Sequence, residues 1–72
     1  MHAWIEAEKS QDWGPSEVLE MLSEYVTVFP YFTRSGKLFI RVQTDELHDA
    51  KLMMNGEAIG YSIHNEKPPY HD

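Results

Sequence analysis

From Tyr31 to Val42 the chain reads Tyr-Phe-Thr-Arg-Ser-Gly-Lys-Leu-Phe-Ile-Arg-Val, two alternating aromatic or β-branched runs joined by Ser-Gly. Alternation with period two sends successive side chains to opposite faces of a strand, and a short glycine-containing break between two such runs predicts a β-hairpin. Pro30 interrupts the first run. A proline has no N–H to give to a ladder, so this strand belongs at a sheet edge. Its partner, Lys37 to Gln43, sets Leu38, Ile40 and Val42 against Lys37, Phe39, Arg41 and Gln43 without a break, as a central strand does.

The remaining segments supply two more strands and two helices. Residues 2–8 alternate, with Ala3, Ile5 and Ala7 on one side and Trp4, Glu6 and Glu8 on the other. After the loop Ser10–Gly14, Pro15 or Ser16 opens a helix whose apolar stripe is Val18, Leu19, Leu22, Tyr25 and Val26. Thr44 is the expected N-cap of a second helix, with Asp45 and Glu46 in its first turn, Leu47, Ala50 and Met54 on its inner side, and Asn55-Gly56 as a left-handed cap. A last strand carries Ile59, Tyr61 and Ile63 on one face. The order β-α-β-β-α-β is that of the ferredoxin-like split βαβ arrangement: a four-stranded antiparallel sheet, strand order 4-1-3-2, with two helices on one face. Residues 1–66 form the expected α+β domain, and 67–72 a mobile tail.

Composition narrows the chemistry. Seventy-two residues suffice for one small core and no second domain. The chain has no cysteine, which excludes disulfides, thiolate nucleophiles and Cys-based zinc sites. No apolar run approaches the roughly 20 residues of a membrane span, and the first residues lack a signal-peptide pattern, so a cytoplasmic location is expected. Twelve carboxylates oppose six Lys and Arg for a net charge of −6, which disfavours non-specific attraction to nucleic acid or anionic lipid.

Two surfaces follow from this arrangement. The helices are expected to cover Ala3, Ile5, Ala7, Leu38, Ile40, Val42, Ile59, Tyr61 and Ile63, leaving a sheet face of Trp4, Phe29, Tyr31, Lys37, Phe39 and Arg41. The helices themselves carry clustered acids: Glu17, Glu20 and Glu24 on the first, Asp45, Glu46 and Asp49 at the second. Either surface is a candidate for binding. The segments Ser16–Tyr25 and Asp49–Gly56 resemble the first helix and the end of the second helix of the RNA recognition motif. That resemblance implies the same topology and puts Trp4 and Phe39 where family members stack bases. In this chain Lys37 stands where the family has a second strand-three aromatic, and Val26 replaces the usual glycine after the first helix.

Catalytic and metal patterns are sparse. His2, His48, His64 and His71 show no H-x-x-x-H or H-E-x-x-H spacing, the Asp45, Glu46 and Asp49 group has no calcium-loop pattern, and no serine sits in a nucleophile elbow. No cofactor or metal is expected. The leading expectation is a small acidic, non-enzymatic interaction protein that binds and modulates, as an inhibitor, a partner macromolecule such as a nucleic-acid-handling protein, through either the open aromatic sheet face or the acidic helices, whose carboxylates would imitate phosphate charge. Single-stranded RNA binding on the sheet, with Lys37 and Arg41 on phosphates, is the alternative. A homodimer burying the sheet face is a further expectation.

Overall fold

A computed structural model describes residues 1–71. Its elements run β1 (His2–Ala7), α1 (Pro15–Ser23), β2 (Val28–Phe32), β3 (Leu38–Gln43), α2 (Leu47–Gly56) and β4 (Tyr61–His64). The strands form one antiparallel sheet in the order β2-β3-β1-β4, the ferredoxin-like α+β arrangement. Pro30 lies on an edge strand, as its missing N–H requires. No helix among the described residues is long and apolar enough to cross a membrane.

Alternation fixes the register. Ala3 pairs with Val42 and Ile5 with both Ile40 and Ile63, so that the inward residues of the two central strands share one face. Ala3, Ile5, Ile40, Val42 and Ile59 are buried there against Val18 and Leu22 of α1 and Ala50 and Met54 of α2. The tip of the β2–β3 hairpin is one residue longer than a plain Ser-Gly joint. Thr33 and Lys37 bracket Arg34-Ser35-Gly36, the Thr33 N–H donates to the Lys37 carbonyl, and Gly36 adopts a φ of 91°, a conformation that a side chain would strain.

The first helix starts where the sequence pattern places it, and the other helix ends depart from that pattern. α1 starts at Pro15, and the Gly14 N–H donates to the Glu17 carboxylate at 3.3 Å, so this acid closes the helix N-terminus. The helix stops at Ser23, which takes Tyr25 out of the expected apolar stripe and leaves it 72% exposed. In α2 the expected N-cap Thr44 lies in a preceding turn, and Glu46 occupies the cap position without a side-chain capping bond. The left-handed residue is not Gly56, which remains helical, but Ala58, with a φ of 57°. Its N–H donates to the Asn55 carbonyl and that of Ile59 to the Met54 carbonyl, the double closure of a Schellman motif. Buried Ile59 and Met54 belong to the same core cluster, which fixes the ending in place of glycine chemistry.

Residues 67–71 have a defined place. Pro68 is buried, the Tyr31 hydroxyl donates to its carbonyl at 2.7 Å, and the Arg34 N–H donates to the Tyr70 carbonyl at 2.8 Å. β4 and β2 are opposite edges, so between His64 and Pro68 the chain passes three strand spacings, about 14 Å. Four residues reach that far only when nearly extended. Tyr31 packs its ring edge-on to Phe39, on the side away from the helices, so the segment crosses that side as a strap. Residue 72, part of the expected tail, lies outside the described residues.

Candidate functional site

The sheet face opposite the helices is assembled from cross-strand neighbours. Trp4 pairs with Arg41 on one side and His64 on the other, Phe29 pairs with Arg41, and Tyr31 with Phe39. All six residues expected on this face are brought together. Phe39 is nevertheless only 5% exposed: the Tyr31 and His64 rings meet it edge-on at centroid distances of 6.2 and 5.5 Å, and the Lys37 ammonium sits 5.3 Å from its centroid. Phe29, at the edge, keeps 46% exposure, with the Arg41 guanidinium 4.8 Å from its ring centre.

The charges on this face are already engaged. Lys37 Nζ and His64 Nε2 each lie 2.9 Å from an oxygen of Glu6. The hydrogen-bonded Lys37 ammonium, followed by the His64 ring, holds the Glu6 carboxyl below its ordinary value of 4.5. A carboxylate thus occupies the basic centre that a phosphate would need. Glu6 also supplies an acid beside His64, a strand away from Ser62, but no hydrogen bond joins Ser62 to His64 among those described. Two donors on this face stand out: Trp4 Nε1 and Arg41 Nε are buried without an acceptor.

The helical side presents a different surface. Glu17, Glu20 and Glu24 line an open depression of about 570 Å³ with Trp13, Met21 and Ser23. It adjoins a groove of about 350 Å³ between the helices, lined by Met21, Tyr25, Leu52 and Met53 and flanked by Glu24 and Glu57. The apolar floor is accessible, Tyr25 being 72% and Leu52 56% exposed. No lysine or arginine lines either hollow. Asp45, Glu46 and Asp49 line neither of them. The Glu46 carboxylate instead accepts the Thr27 N–H at 2.8 Å and ties the start of α2 to the entry of β2.

The groove was missed by sequence reasoning because Tyr25 fits a helical stripe that presumes a longer α1. The only signal for it was Leu52, which is out of phase with Leu47, Ala50 and Met54 on α2. Among the described residues, no three His, Cys, Asp or Glu side chains are grouped to hold a metal ion. Comparison with protein families, with curated proteins and with solved structures finds no match to this chain.

Proposed function

We propose that this chain is a small acidic, non-enzymatic interaction protein that binds a basic partner protein through the outer faces of α1 and α2 and thereby competes with that partner's anionic ligand. The observation that carries the reading is the apolar groove of Met21, Tyr25, Leu52 and Met53 with carboxylates on its rim and no basic side chain in its lining. An exposed apolar centre supplies affinity by desolvation, while a one-signed rim steers encounter and selects a partner of opposite charge. Glu17, Glu20 and Glu24 extend the negative field along α1 in the way a row of phosphates would. The sheet face is a weaker candidate for this partner, because the protein's own rings, ion pairs and C-terminal strap fill it.

Affinity capture from native-host extract with the tagged chain tests the reading. A partner is expected that elutes as salt rises and is lost on Glu20→Lys with Glu24→Lys or on Leu52→Asp, but kept on Phe29→Ala. A partner kept by the helical variants and lost with Phe29→Ala would place binding on the sheet and end the proposal.

A further inference from the structure

The C-terminal strap shows what kind of ligand the sheet face accommodates. Lys67 and Pro68 each precede a proline, which disfavours helical backbone, and Pro68 and Pro69 have φ set near −65° by their rings. Residues 67–69 are therefore extended by covalent geometry before they touch anything. The face reads this segment through two backbone carbonyls, which any X-Pro-Pro segment offers, and one cation that Lys67 supplies. The Tyr31 hydroxyl takes a prolyl carbonyl, the Arg34 N–H takes the carbonyl two residues on, and the Tyr31 ring carries the cation of the residue before the prolines at 5.3 Å. Aromatic-lined surfaces that hold pre-extended proline segments by their carbonyls are a recurring mode of peptide recognition.

The match is incomplete at a definite place. Trp4 and Arg41 pair across β1 and β3, and Trp4 Nε1 and Arg41 Nε are both buried without an acceptor. Trp4 also pairs with His64, the last residue of β4, so its donor lies on the strand beside the strap's start, while Arg41, one strand further in, leans over Phe29 toward the opposite edge. Asn65 and Glu66, the only residues between β4 and the first strap contact, are exposed and give no acceptor to either donor. A buried donor without an acceptor retains its full desolvation penalty, so a segment free of the tether, with an oxygen acceptor ahead of its prolines, makes bonds the strap leaves unmade.

We propose that this sheet face is a peptide-binding site for an extended partner segment with a carbonyl or carboxylate acceptor followed by Pro-Pro, held closed by residues 67–70 of the same chain. The tethered strap acts at a local concentration on the order of millimolar, which sets what a competitor must overcome. Satisfying Trp4 and Arg41 is what tips the exchange toward the partner. This site is independent of the helical groove.

The test uses the full chain and the synthetic peptide Asn-Glu-Lys-Pro-Pro-Tyr-His-Asp, the sequence of residues 65–72, followed by NMR at the Arg34 amide and the Trp4 indole N–H. In the variant Pro68→Ser with Pro69→Ser, Arg34 amide exchange is expected to rise at least tenfold. The peptide is expected to bind this variant at least tenfold more tightly than the unchanged chain, shifting the Trp4 indole resonance, with Tyr31→Phe weakening that binding several-fold. Unchanged Ile5 and Ile40 amides report that the core is intact; if they change, Pro69→Ser alone serves as the strap-loosening variant, with Arg34 exchange again expected to rise and the peptide again expected to bind more tightly than to the unchanged chain. Unchanged Arg34 exchange, a loosened chain that ignores millimolar peptide, or shifts confined to Met21, Tyr25 and Leu52 would overturn the proposal. So would preferential binding of an RNA oligomer to the loosened face, or a dimer in which strap exchange keeps Arg34 protected.

Discussion

Tyr31 and Pro68, 37 residues apart, are joined by a 2.7 Å hydrogen bond from the tyrosine hydroxyl to the prolyl carbonyl. This bond closes a strap over the side of the sheet that the helices leave bare. Tyr31→Phe removes the donor, keeps the ring against Phe39, and leaves a partly buried carbonyl unsatisfied. A loss of about 0.5–1.5 kcal/mol is expected in urea denaturation at neutral pH. A change below about 0.2 kcal/mol, small against that range, would mean that the strap adds nothing to the fold.

Ala58 sits at a φ of 57°, where its Cβ crowds the following carbonyl oxygen. The two closing hydrogen bonds of α2 and the burial of Ile59 hold it there. Ala58→Gly relieves the strain at the cost of extra freedom in the unfolded chain, and is expected to stabilise by about 1 kcal/mol. In a domain of this size that raises Tm by about 4–8 °C. Gly56→Ala, within the helix and with open space around its Cβ position, is expected to stabilise as well.

The Glu6 carboxyl is held below its ordinary value by Lys37 and then by His64, which links it to stability with a defined sign. A group whose folded value is depressed contributes its full stabilisation above the unfolded value. It loses that contribution as pH falls through the folded one. Glu6→Gln should therefore cost about 0.2–1 kcal/mol at pH 7, discounted for the partial exposure of both partners, with the gap closing as pH falls below 4.5. Thermal melts of both proteins from pH 7 to pH 2.5 check this. A gap that widened in acid would reverse the assignment.

What was legible in the sequence was whatever obeys a period. The alternation of Lys37–Gln43 and of the residues around Ile5 gave strands and faces, and Pro30 marked the edge, while the register came only with the paired strands. The features that were not legible depend on contacts between distant residues. Asn55-Gly56 has the composition of a left-handed cap, yet the left-handed residue is Ala58, because burying Ile59 beside Met54 outweighs the local preference. The strap has no periodicity; it is held by one hydroxyl, one amide and a ring, none of which announces its partner. The two acidic clusters looked equivalent because charge counts do not reveal that Glu46 is committed to the Thr27 amide.

That difference separates the carboxylates by role. Glu46→Ala leaves the Thr27 N–H without its protein acceptor and loosens the join between α2 and β2, so a loss of about 1 kcal/mol is expected, with partner binding unchanged. Glu20 and Glu24 are exposed and take part in no ion pair among the described residues. Glu20→Lys with Glu24→Lys should leave stability within about 0.5 kcal/mol while abolishing capture of a basic partner. Melting and capture measured on the same preparations read the two effects apart. If Glu46→Ala removed the partner while the protein stayed as stable as before, the acids at the start of α2 would be the binding surface, and the groove between the helices would not.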